Sequence, residues 1–201
     1  MPPVPAALGF SLHTGWAAAV VVTGGPRKVE VISRLRLELL PSGGSIPRFV
    51  YHSAAEMPLP EAAVLVNSAE RIVRREAHRT VQEAFEASSS AGRKIVAAGI
   101  PTGSTKLPGD LSKILAAHTL MHAAEGHLFS QAIVAACQSC GVHPVTVRLR
   151  DIWGKAAAAC EMEEKELRGA VDNIRKTVGP PWSRDQKIAT VAALLALRMA
   201  T

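Results

Sequence analysis

Apolar residues in this chain first recur with a period of two and later at helical spacing. Residues 6–22 read as two short apolar strands joined by a polar turn at His13-Thr14-Gly15, the pattern of a β-hairpin. Gly24-Gly25-Pro26 breaks the second strand. Over 28–40, Val29, Val31, Leu35, Leu37 and Leu39 alternate with Glu30, Arg34, Arg36 and Glu38, with a slip at Ile32-Ser33. That pattern predicts a third, half-buried strand and hence a meander. The Pro, Gly and Ser content of 41–60 predicts a loop.

Helical spacing takes over at 61–88, where Ala63, Val66, Ala69, Ile72, Val73, Ala77, Val81 and Phe85 recur at intervals of three and four. Residues 95–100 form a continuous apolar run that predicts a strand buried on both faces and ended by Pro101. A loop over 102–110 leads to a second helix, 111–140, capped by Asp110 or Ser112 and stopped by Gly141. A fifth strand over 142–149, a polar helix over 161–177, a break at Gly179-Pro180-Pro181 and a final apolar helix over 184–199 complete the chain. The order is β-β-β-α-β-α-β-α-α, which predicts an α/β fold with a five-stranded mixed sheet and helices on both faces.

Composition narrows this picture. At 201 residues the expectation is one domain over 1–201. Hydrophobic residues make up 48% and aromatics only 4%, so Ala, Val, Leu and Ile must build the core, and disorder is excluded. No apolar run nears the roughly 20 residues of a membrane span, and Met1-Pro2-Pro3-Val4-Pro5 lacks the features of a secretion signal, so a cytoplasmic location and no membrane partner are expected. Cys137 and Cys140 form a lone C-x-x-C at the end of a helical run and are expected to be reduced and structural. The formal charge of +6 favours an anionic partner, nucleic acid or another phosphate-bearing ligand. Arg71, Arg75 and Arg79 lie along one helical line, but Glu70, Glu76 and Glu83 interleave with them, so surface pairing competes with phosphate binding there. Trp16, Trp153 and Trp182 are expected to pack or to anchor loops.

The element order, with three local patterns, resembles the ribonuclease H-like superfamily, and in layout its Holliday-junction resolvase branch. Leu8-Gly9-Phe10-Ser11-Leu12-His13-Thr14-Gly15-Trp16-Ala17 looks like the family's first hairpin, 94–100 like its fourth strand, and 185–197 like its acid-bearing last helix. The resemblance implies nuclease chemistry in which carboxylates from strand one, strand four and the last helix hold two divalent metal ions about 3.5 to 4 Å apart. Here the strand-one position is Ser11, strand four carries no acid, and Asp185 alone matches. One carboxylate does not organise that site, so the ordinary metal-dependent activity is expected to be absent and no cofactor follows from the resemblance. The same opening compares poorly with the Asp-x-Gly-Thr phosphate turn of actin-like ATPases, because Ser11-Leu12-His13-Thr14 lacks both the acid and the glycine.

Two constellations stand outside the family pattern. His118, His122 and Glu125 fall on one stripe of the second helix and have the ligand types of a zinc or iron site. In a fold of this kind the first turn and the last helix are expected to bring His13, Thr14, Asp185 and Lys187 together. His13 with Asp185 is suited to general acid–base work, and Ser11, Thr14 and Lys187 to holding a phosphate, with Arg75 as a further contact. The leading expectation is therefore a diverged ribonuclease H-like protein that binds nucleic acid or another phosphate-bearing ligand. The alternatives are a hydrolase using His13 and Asp185, or a metal on the 118/122/125 stripe, and an assembly protein whose Ala-rich second and last helices form a homo-oligomer interface.

Overall fold

The computed structural model of the chain describes residues 2–41 and 43–200. Strands β1 (Val4–His13), β2 (Trp16–Gly25) and β3 (Lys28–Glu38) form the antiparallel meander, and β4 (Arg93–Thr102) and β5 (Val145–Arg148) continue the sheet parallel to β1. The spatial order is β3-β2-β1-β4-β5, a five-stranded mixed sheet as the residue pattern predicted. Gly15 closes the hairpin at φ 85°, a conformation that costs a Cβ-free residue nothing. The slip at Ile32-Ser33 is a β-bulge: Val21 pairs with Ser33 and Val22 with Val31, which leaves Ile32 extra.

The helices are α1 (Val50–Ala54), α2 (Leu59–Ser90), α3 (Leu111–Leu115), α4 (His118–Ser139), α5 (Ile152–Ala159), α6 (Glu164–Asn173), α7 (Arg175–Val178) and α8 (Arg184–Ala200). The period of two along β1 sends Ala6, Leu8 and Phe10 to the core under α2 and α4 and Ala7 to the core under α5, α6 and α8. Helices therefore cover both faces.

On the second face α8 lies against bare backbone. A Cβ built on Gly9 would stand 1.9 Å from the Ala189 carbonyl oxygen, and one on Gly99 would stand 2.0 Å from that of Ala192. Only glycine permits this approach, and Ala189, Ala192 and Ala193 complete the seam. The buried stretch of α8 from Ile188 to Leu197 faces the sheet and its covering helices, so the apolar length of this helix is not a free oligomer surface.

Several segments depart from the sequence expectation. The predicted loop over 41–60 contains α1, five residues whose Val50, Tyr51 and Ala54 are buried. The predicted helix over 111–140 is two helices, because Ala117 adopts extended backbone (φ −134°, ψ 116°); neither glycine nor proline marks this break. Pro101 does not end β4, which continues to Thr102 pairing with β5 alone after the β1 register stops at Gly99. A strand paired on one side tolerates the missing N–H. Strand β5 is confined to four residues, and α5 precedes the polar helix, which divides at Ile174 into α6 and α7.

Candidate functional site

Strand periodicity builds the first part of the site. Gly9, Ser11 and His13 share the face of β1 that meets α8, and α8 begins where Ser11 and His13 reach the end of the strand. Ser11 Oγ donates to Asp185 Oδ1 at 3.1 Å, and His13 Nε2 lies 2.8 Å from the same oxygen. His13 is paired across the hairpin with Trp16, and cross-strand partners share a face, so their rings stack at 4.2 Å with an interplanar angle of 6°. The Arg36 guanidinium lies 3.8 Å from the centroid of the same indole, a cation–π contact.

The start of α8 is fixed by Arg34, by Trp182 and by a cap of Ser183 and Gln186. Arg34 donates from Nη1 to the carbonyls of Gly179 (3.1 Å) and Pro181 (2.6 Å) and from Nη2 to that of Val178 (2.9 Å). Trp182 Nε1 donates to the Val171 carbonyl at 2.9 Å, which makes it the loop anchor expected of it. Ser183 and Gln186 form a reciprocal cap: the Asp185 N–H donates to Ser183 Oγ at 3.2 Å, and the Ser183 N–H donates to Gln186 Oε1 at 2.7 Å. The S-x-x-Q spacing was readable as a cap; the Arg34 tether was not.

Because Asp185 engages Nε2, it holds the tautomer of His13 that carries its proton there and leaves Nδ1 as the acceptor. Ser11 donates to the carboxylate and not to the imidazole. The three residues therefore lack the nucleophile–base hydrogen bond of a serine hydrolase, while a base oriented by a carboxylate is present.

Lys187 is not part of this group. Its ammonium lies 2.8 Å from Asp172 Oδ1 on the wall of a separate cavity of about 790 Å³ at the C-terminal ends of β4 and β5. Arg148, Arg150, Arg168, Arg184 and Trp153 also line that cavity. Arg148 and Arg150 contact Asp151, and Arg168 pairs with Glu164 while lying 4.1 Å from the Trp153 centroid. Five cationic side chains thus face three carboxylates, an excess of positive charge at the strand ends where α/β sheets bind ligands. Arg75 is remote in kind as well: on the outer face of α2 it contacts Glu76 at 2.9 Å, and Arg79 bridges Glu76 and Glu83. Arg75 foremost, with Arg79, holds the Glu76 carboxyl below the usual carboxylate range.

Thr14 and His13 line a smaller cavity of about 290 Å³ together with His122 and Glu125. The proposed ligand stripe on α4 is rearranged there. Glu125 does not join His118 and His122; its Oε1 accepts the Tyr51 N–H at 2.8 Å and lies 3.3 Å from His52 Nδ1. His52 of α1 takes its place, and ligand atoms of His52, His118 and His122 all lie within 4.8 Å of one another. The C-x-x-C joins no such group: Cys137, Cys140 and Cys160 are free, and burial pushes the Cys137 thiol up to about 12, with the neighbouring Cys140 adding.

The strand order, the β1–β4 parallel pair and the helix crossing both strands define the α/β fold of ribonuclease H-like proteins. The chain is similar in structure to RuvC from Thermus thermophilus, at a TM-score of 0.56 and 14% identity over 98% of this chain and 97% of that one. T. thermophilus RuvC in complex with a Holliday junction substrate superposes at a TM-score of 0.50 and 13% identity, covering 94% and 90%. No protein-family model matches the chain, and no curated protein does. At these identities the likeness establishes the fold. No helix among the described residues is long and apolar enough to cross a membrane.

Proposed function

We propose that this chain is a diverged ribonuclease H-like protein that binds nucleic acid through the cationic cavity at the ends of β4 and β5 and lacks two-metal nuclease activity. The observation that carries the binding reading is the convergence of Arg148, Arg150, Arg168, Arg184 and Lys187 on one cleft, with Trp153 in its wall. Arg and Lys side chains gathered in one cleft suit phosphate oxygens, and an indole braced by a guanidinium is a stacking surface for an unpaired base. The resemblance to a RuvC solved with a Holliday junction substrate supports a branched DNA as the first ligand to test. Loss of the two-metal reaction is supported by the company Asp185 keeps: a hydroxyl and an imidazole, with no carboxylate on β1 or β4. The binding test is fluorescence anisotropy with four-way, duplex and single-stranded DNA. Arg150→Glu with Lys187→Glu is expected to weaken binding at least ~10-fold, while Arg75→Glu on α2 leaves it unchanged. Equal affinity in all three proteins would remove the cavity from the account. With Mg²⁺ or Mn²⁺, no cleavage of the junction is expected; turnover abolished by Asp185→Asn would refute the loss of nuclease activity.

A further inference from the structure

Among the described residues, His52, His118 and His122 form a cluster that includes neither the cations of the β4–β5 cavity nor the His13–Asp185 pair itself. Their rings meet edge to face, with centroids 5.3 Å (His52–His118), 4.6 Å (His52–His122) and 4.4 Å (His118–His122) apart. We propose that these three imidazoles bind one divalent transition-metal ion, with zinc as the metal, in a three-histidine site open to solvent.

The geometry suits the chemistry. Zinc holds imidazole nitrogens at about 2.0 to 2.1 Å, which sets tetrahedral ligands roughly 3.4 Å apart. Three nitrogens already within 4.8 Å need only small side-chain rotations, and the exposed rings of His118 and His122 are free to make them. His118 and His122 are one helical turn apart on α4, the spacing at which two histidines grip one ion. His52 arrives from α1.

A second observation comes from Glu125, which is 3% exposed. Its Oε1 faces His52 Nδ1 at 3.3 Å, while its Oε2 is buried without a hydrogen-bond partner. A carboxylate accepting the Nδ1 proton fixes the ring and leaves Nε2 as the ligating nitrogen, the outer-shell arrangement typical of zinc-bound histidine. A buried carboxylate also needs a compensating charge. A divalent ion on the three imidazoles would supply one. The sequence stripe of His118, His122 and Glu125 is thus read differently: Glu125 is the positioning residue and His52 the third ligand. Three protein ligands leave one coordination position for water, as in catalytic zinc sites, and His122 and Glu125 line the same cavity as His13.

The test is calorimetric titration of the full chain, stripped with a chelator, with zinc chloride. One ion per chain is expected, with a rise in Tm on binding. His52→Ala and His122→Ala are each expected to weaken binding at least ~10-fold, and Glu125→Gln by roughly 10-fold while still binding one ion. Circular dichroism of each variant confirms folding, and Cys137→Ser with Cys140→Ser is expected to change nothing. Absence of binding to the wild-type chain, or undiminished binding in folded His52→Ala and His122→Ala, would overturn the proposal. Loss of binding in the cysteine variant would reassign the ion to the thiols.

Discussion

Asp185 holds the site together at the scale of single residues, because one oxygen accepts from both Ser11 and His13. Its side chain is 29% exposed, so these bonds are partly shielded from water. A double-mutant cycle of Ser11→Ala and Asp185→Ala, followed by urea unfolding, is expected to give a coupling energy of about 0.5 to 1.5 kcal/mol. Strict additivity would show that the hydroxyl and the carboxylate do not interact. The thiols offer a separate check. Burial raises the pKa values of Cys137, Cys140 and Cys160, and Cys137 is fully buried whereas Cys140 is partly exposed. A thiol reagent at pH 8 is expected to label Cys140 first and Cys137 only on unfolding; rapid labelling of Cys137 in the native protein would contradict this packing. Of the site residues, Ser11, His13 and Asp185 were legible because strand period and element order fix which side chains share the end of β1. Lys187 was expected beside Asp185, but two residues further along the helix it lines the separate cationic cavity and pairs with Asp172. His52 left no signal, since it sits in a Pro- and Gly-rich segment and meets Glu125 across 73 positions.

Among the elements, α8 and α2 carry the most specific expectations. The carbonyls of Ala189 and Ala192 occupy the space where Gly9 and Gly99 would bear a methyl group. Gly99→Ala is expected to cost about 3 kcal/mol or more by overpacking. Gly169 on α6 has nothing within 4 Å of its would-be Cβ, so Gly169→Ala should gain up to about 1 kcal/mol from helix propensity. Thermal melts that move both variants in the same direction would contradict the seam. On α2, Glu76 has a folded pKa below its unfolded value of roughly 4.3. Its stabilising contribution is therefore complete above about pH 5 and is lost as pH falls through the folded value. Glu76→Gln should lower stability at pH 7 and narrow its difference from wild type at pH 3; a constant difference across that range would exclude the linkage. The meander, its bulge and α8 were legible because periodicity and breakers are local. The interruption at Ala117 and the helix α1 were not. Five residues do not sustain a helix alone, and α1 is held by burial of Val50 and Tyr51 and by the Tyr51 N–H bond to Glu125.

For the whole molecule, the sheet supports three chemically different places around one end of β1, β4 and β5: the Ser11–His13–Asp185 group, the three-histidine cluster, and the cationic cleft. The fold was legible from element order together with the local patterns at 8–17, 94–100 and 185–197; the separation of the three places was not, because it depends on which side of α8 and α4 each side chain takes. The +6 charge now has a partial location, since Arg75 and Arg79 on α2 are paired with Glu76 and Glu83 while the cleft retains an excess of cations. The most direct test of nucleic-acid binding is the affinity of the full chain for a four-way DNA junction measured by anisotropy between 50 and 200 mM salt. With roughly three or more phosphates neutralised in the cleft, affinity is expected to fall at least ~30-fold over that range. No binding at 50 mM salt, or binding indifferent to salt, would contradict the account.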